Sequence, residues 1–160
     1  VQLRVIWFGR PAASPYEQQV GEYRARVARR WPAEDLPLRS AAGGRGSDAR
    51  RALRREAEAA RAVVPPGWRL GVLDESGRAY TSEGLAAELQ RLQDGGARGL
   101  ALIIGSDLGL HPELVAGAVV RLSLSPMTLP HLLARLVLWE QLYRATQILG
   151  GGRYHRSGLQ

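Results

Sequence analysis

Apolar residues along this chain fall into short blocks separated by longer amphipathic runs. The blocks are Gln2 to Phe8, Leu36 to Ala42, Trp68 to Leu73, Leu100 to Ile104 and Val119 to Leu124. Short runs rich in branched and aromatic residues predict strands. LGVL and LALII hold no polar residue, which predicts strands buried on both faces, as in a parallel sheet. Between the blocks, apolar positions recur at three- and four-residue steps and predict helices. The first runs from Ser14 to Trp31, with Ser14 as N-cap, Pro15 in its first turn and Glu17 completing a capping box. A second, capped by Ser47 or Asp48, reaches about Val64, where PPG ends it. A third, capped by Ser82, reaches about Gln93. HPELVAGA is a short helix, and the last helix spans Pro130 to Leu149. AGGRG, DGGARG and GSDLG are loops, DESGRA is a turn, and residues 150–160 form a tail. Strands alternating with helices predict an α/β fold of three layers, in one domain covering residues 1–160.

In such sheets ligands gather beyond the carboxyl ends of the strands. That rule places DESG, GSDLG and LSPMTLP on one rim. The third segment belongs to LSLSPMTLPH, residues 122–131. Pro126 biases Ser125 toward extended geometry, and Pro130 has its φ preset for a first helical turn. The backbone between them is stiff, and its polar groups cannot all pair with strands. An ordinary strand-to-helix connection explains this equally on local grounds; a ligand with hydrogen-bonding edges would also satisfy those groups.

Composition adds a charge signal. All 22 basic residues are Arg, against 15 acidic residues, for a net charge of +7. The balance suggests a polyanion such as RNA or DNA, although a GC-rich coding bias gives the same excess of Arg. Arg50, Arg51, Arg54, Arg55 and Arg61 lie on one helical run, as a solvated face or a phosphate contact. Gly43 to Gly46 lacks the Lys and spacing of a P-loop. The chain has no Cys, and His111, His131 and His155 lack metal-ligand spacing, so no metal is expected. No apolar run approaches a membrane span. VQLRVIWFG is too short for a signal peptide and leads into a strand, and the absent initiator Met suggests processing. A cytoplasmic protein is expected.

LSLSPMTLPHLLARLVLWEQLYRA followed by RYHR strongly resembles the C-terminal half of a bacterial methyltransferase family. That family methylates N3 of a pseudouridine in 23S ribosomal RNA and belongs to the SPOUT class. The resemblance continues through LIIGSDLGL, VLDESGRAYTSEGLAAEL, GGRGSDA, EYRARVARRWP and VQLRVIWFG, and so covers nearly the whole chain. It implies a sheet whose C-terminal segment forms a trefoil knot. It also implies S-adenosylmethionine held by the knot loops, and a homodimer in which one tail completes the other subunit's site. Matched by motif, Leu73, Gly105, Leu124, Ser125, Pro126, Met127, Thr128 and Leu129 are the cofactor-binding candidates. At Gly105 the missing side chain is expected to admit the ligand. GSDLG departs from the usual pair of glycines followed by Pro or Ala, and Asp107 there either contacts the ribose or caps the short helix.

Methylation at N3 requires loss of an imide proton, which a positive site favours. Arg144, Arg153 and Arg156 are candidates for that charge. His155 is a candidate base, and Tyr154 a stacking partner for the substrate base. A tail without a role is the alternative for Tyr154 and His155, and a Glu140–Arg144 pair competes with catalysis by Arg144. His131 is either a hydrogen-bonding residue at the helix start or a cofactor or dimer contact. Leu132, Leu136, Trp139 and Tyr143 form a stripe read as core or dimer interface. Other readings stay open: a SPOUT enzyme with another RNA target, or a silent RNA- or ribosome-binding protein.

Overall fold

A computed structural model describes residues 1–41 and 48–151. Five strands form one parallel sheet: β1 (Gln2–Phe8), β2 (Ala33–Leu38), β3 (Arg69–Ala79), β4 (Gly99–Ile103) and β5 (Val120–Ser123), in the order β2-β1-β4-β3-β5. The helices are α1 (Glu17–Val27), α2 (Ala49–Ala62), α3 (Ser82–Asp94), α4 (Pro112–Gly117) and α5 (His131–Leu149).

The sheet is covered on both faces, as the uninterrupted apolar strands predict. Leu3, Val5, Trp7, Leu100, Leu102 and Ile104 face one core, which takes in Val20 and Val27 of α1, Leu85 and Leu89 of α3, and Leu138 and Trp139 of α5. Ile6, Phe8, Val72, Ala101 and Ile103 face the other, closed by Ala57 and Ala60 of α2 and Leu114 of α4. Every residue of β4 is buried. Alternate side chains of one strand thus enter opposite cores.

Several boundaries differ from the sequence expectation. α1 begins at Glu17, and the Ser14 hydroxyl accepts the Tyr16 N–H at 3.2 Å in a turn before it. Glu17 closes no capping box; its carboxylate instead meets Arg135 at 2.7 Å. β2 begins at Ala33, three residues before the expected Leu36, and ends at Leu38. The polar Asp35 is tolerated in this strand because the indoles of Trp7 and Trp139 donate to it at 2.9 and 2.7 Å, and Arg135 pairs with it. Pro37, which has no N–H, fits because β2 is an edge strand. Thr81, not Ser82, caps α3, its hydroxyl accepting the Gly84 N–H at 3.0 Å. Asp48 caps α2, while its alternative Ser47 lies outside the described residues.

The largest departure is in β3. DESGRA does not end the strand. Leu73 and Arg78 both pair with Leu122, so residues 74–77 loop out and the ladder resumes at Ala79. A Cβ on Gly77 would stand 2.5 Å from the Arg121 carbonyl oxygen, so the return needs a residue without one.

Candidate active site

The carboxyl ends of β3, β4 and β5 open into a cleft of about 540 Å3. Its walls come from the β3 bulge, the loop after β4, the loop after β5 and the first turn of α5. Leu73, Ile104, Leu110, Val115, Leu122, Leu124 and Leu129 make an apolar lining; Asp74, Glu75, Asp107, Ser125, Thr128 and His131 make a polar one. The three loops placed on one rim by the parallel-sheet rule do converge.

Each wall is held by local chemistry. On the β3 side, Arg121 reaches across from β5 and bonds Asp74 at 2.6 Å. That guanidinium is the main cause holding the Asp74 carboxyl below the usual carboxylate range, and the Ser76 N–H and hydroxyl reinforce it. Beyond β5, the Ser123 hydroxyl donates to the Ser125 carbonyl at 3.1 Å, and the Ser125 hydroxyl accepts the Met127 N–H at 2.9 Å. The Thr128 hydroxyl then donates to Glu75 at 3.1 Å, joining this loop to the β3 bulge. The main-chain N–H groups of Thr128 and Leu129 make no hydrogen bond to any described residue. Thr128 and Leu129, which line the cleft, thus carry backbone donors that no described residue uses.

The loop after β4 corrects one expectation. Asp107 does not cap α4; the ring Nδ1 of His111 does, accepting the Glu113 N–H at 3.2 Å. Asp107 instead faces His131 Nδ1 at 3.2 Å across the cleft mouth, its side chain 87% exposed. Gly105 lines the cleft, but a Cβ there would stand 2.6 Å from the Gly109 carbonyl oxygen. Its missing side chain is thus required by the turn back through Gly109. Ser106 bridges to Gly109 and sends its hydroxyl to Glu56 of α2 at 2.7 Å.

Of the cofactor-binding candidates, Leu73, Gly105, Leu124, Ser125, Met127, Thr128 and Leu129 line the cleft, and Pro126 does not. Arg144 is not at the cleft: it pairs with Glu140 at 2.6 Å further along α5. Tyr154, His155, Arg156 and Arg153 lie outside the described residues. Trp139 is fully buried and belongs to the core, so only Leu132, Leu136 and Tyr143 of its stripe are partly exposed. Sequence reasoning named the DESG loop but not Asp74 and Glu75 as an acidic wall, since the bulge that presents them depends on pairing with distant β5. Arg135 was missed outright. It is 1% exposed, bonds Asp35 and Glu17, and lies 4.0 Å over the Trp7 ring, which fastens α5 to α1, β1 and β2. Burial opposes its charge, yet the bonds to Asp35 and Glu17 raise its pKa further. No metal-binding group of three or more His, Asp or Glu occurs among the described residues.

The family model described as "Predicted SPOUT methyltransferase" matches residues 1–155. The chain belongs to the SPOUT methyltransferases. It is 41% identical over 158 residues to a Stutzerimonas stutzeri protein named Ribosomal RNA large subunit methyltransferase H, covering 98% of this chain and 100% of that one. A protein of the same name from Roseobacter denitrificans is 39% identical over 164 residues, at the same coverages. One from Ectopseudomonas mendocina is 38% identical over 158 residues, again covering 98% and 100%. Among solved structures, AviRb of Streptomyces viridochromogenes, a SpoU methyltransferase in complex with AdoMet, is 17% identical with a TM-score of 0.45, covering 95% of this chain and 59% of that one.

SPOUT methyltransferases use S-adenosylmethionine, and the cleft of this one fits that molecule chemically. An apolar slot with free backbone N–H groups suits an aromatic base with acceptor edges. Carboxylates at Glu75 and Asp107 suit a ligand carrying a sulfonium and an ammonium.

Proposed function

We propose that this protein transfers a methyl group from S-adenosylmethionine to N3 of a pseudouridine in 23S ribosomal RNA, in the cytoplasm. The observation that carries the reading is the cleft where three strand-end loops meet around unpaired N–H groups. The names of the full-length relatives supply the RNA. Leu73, Leu124 and Leu129 enclose the adenosyl group, and the Thr128 and Leu129 N–H groups bond its edges. Glu75 and Asp107 face its positive end. Ser125, Met127 and Gly105 shape the wall, and Pro126 stiffens the loop from outside the cleft.

Bound there, the cofactor supplies an electrophilic methyl. The substrate's N3 is the nucleophile; it would lose its proton and take the methyl as the sulfur–methyl bond breaks, with a neutral thioether as the leaving group. His155 takes that proton, Arg156 favours the imide anion, and Tyr154 stacks on the base. The length of α5 supports a reaction shared between two subunits. α5 begins at the cleft with His131 and Ala134 and runs 19 residues, so Gly151 lies roughly 28 Å away along the axis. The four residues from Gly151 to His155 span at most about 14 Å. That reach is shorter than the length of α5, which supports a homodimer in which the tail of one chain serves the cleft of the other. Arg144, also distant from its own cleft, enters only by the same route. The knotted path of the C-terminal segment belongs to the same proposal; α5 returning to pack on both α1 and α3 supports it.

The test is mass mapping of 23S rRNA from a strain lacking the gene. Loss of one methyl on a pseudouridine, restored by the gene, is expected. Unchanged methylation refutes the reading.

A further inference from the structure

A second recess, of about 340 Å3, lies between the carboxyl-terminal ends of α1 and α5. Arg26, Arg29 and Arg30 line it with Tyr143, Thr146 and Gln147. None of the three arginines has a carboxylate partner among the described residues, and none of the recess residues is acidic. Arg26 is held over the rings of Tyr23 and Tyr143 at 5.6 and 5.5 Å, and Arg30 over Trp31 at 5.5 Å. Aromatic faces thus orient two of the guanidiniums without neutralising them. Complementing the α1 dipole accounts for basic residues at this end, but not for three of them converging with the Gln147 amide on one concavity. The exposed arginines of α2 are different: Arg50, Arg51, Arg54 and Arg55 line an outer helix face, and none lines either cavity described here.

We propose that this recess binds a backbone phosphate of the RNA substrate and is its docking point. The proposal rests on the rRNA reading above and deepens it. Guanidinium forks match phosphate oxygens in pairs. The cleft after β3, β4 and β5 is less suited to this task, since no Arg lines it and Glu75 and Asp107 do. The position also fits: Gly150 lines the recess, so RNA held there lies at the root of the tail that carries Tyr154, His155 and Arg156.

The experiment compares purified full-length wild type with Arg29→Gln/Arg30→Gln and, as a control for general charge, Arg54→Gln/Arg55→Gln. Methyl transfer to ribosomal substrate is followed at several salt concentrations. For the recess variant, KM for the substrate should rise about tenfold, with kcat at saturation and cofactor affinity unchanged. The slope of log affinity against log salt should shallow by about one unit per lost phosphate contact. The α2 variant should change less. Inorganic phosphate should raise KM for the wild type more than for the recess variant. An unchanged KM and slope in the recess variant overturns the proposal. So does a fall into monomers by sedimentation, which would make the recess a subunit contact. Failure of the wild type on every ribosomal substrate would instead refute the rRNA reading itself.

Discussion

At the residue scale, two ion pairs that look alike do different work. Arg135 is buried, so removing it leaves the nearly buried Asp35 carboxylate without its cation beside the core. Arg135→Ala should cost about 3–5 kcal/mol by urea denaturation, and a loss under 1 kcal/mol would show the cluster to be incidental. The Asp74–Arg121 pair is half in solvent and weaker, about 1 kcal/mol after screening. Its pH dependence has a definite sign. The folded carboxyl titrates below the ordinary value of 3.8, so its contribution is complete above that value and disappears as pH falls through the lower, folded one. The stability gap between wild type and Asp74→Asn should therefore be constant from neutral pH down to about 5 and should close under stronger acid. A gap that widens on acidification contradicts this assignment. Gly105→Ala should disturb the loop against Gly109 first and weaken cofactor binding as a result, visible as a lowered melting temperature alongside the lost affinity.

At the scale of elements, the loop from Leu124 to Leu129 is braced by its own serines before any ligand arrives. Ser125→Ala removes the acceptor for Met127 N–H, worth about 1 kcal/mol, and should weaken cofactor affinity roughly fivefold with little change in overall stability. Equal losses in both would mean that the bond serves the fold alone. Much of this element was legible in the sequence, because Pro126 and Pro130 act locally and strand ends in a parallel sheet collect ligands by topology. What escaped the sequence was non-local. DESGRA carries every local sign of a turn, and only the ladder to β5 makes it a bulge inside a strand. Asp107 is a good N-cap residue by type, yet His111 stands closer to the helix start and takes the role. The strand expected from Leu36 begins at Ala33, because two indoles and a guanidinium from other elements satisfy Asp35. The charge of Arg135 gave no hint of burial, since its partners lie 100 and 118 residues away.

At the scale of the whole molecule, α5 separates the cleft at its first turn from Gly150 at its end, and the proposed catalytic tail is tested by complementation between two chains. A chain cut before Arg153 should bind S-adenosylmethionine normally and turn over poorly. Mixed with a full-length chain whose cleft is disabled, it should recover activity, because one intact cleft and one intact tail then meet in the heterodimer. No recovery would confine the tail's role to its own chain or remove it. The central claim is that the mouth of β3, β4 and β5 holds the methyl donor. A crystal structure with S-adenosylhomocysteine tests it most directly. The account predicts the adenosyl group between Leu73, Leu124 and Leu129, with hydrogen bonds from the Thr128 and Leu129 N–H groups; ligand bound elsewhere, or absent at saturating concentration, would contradict it.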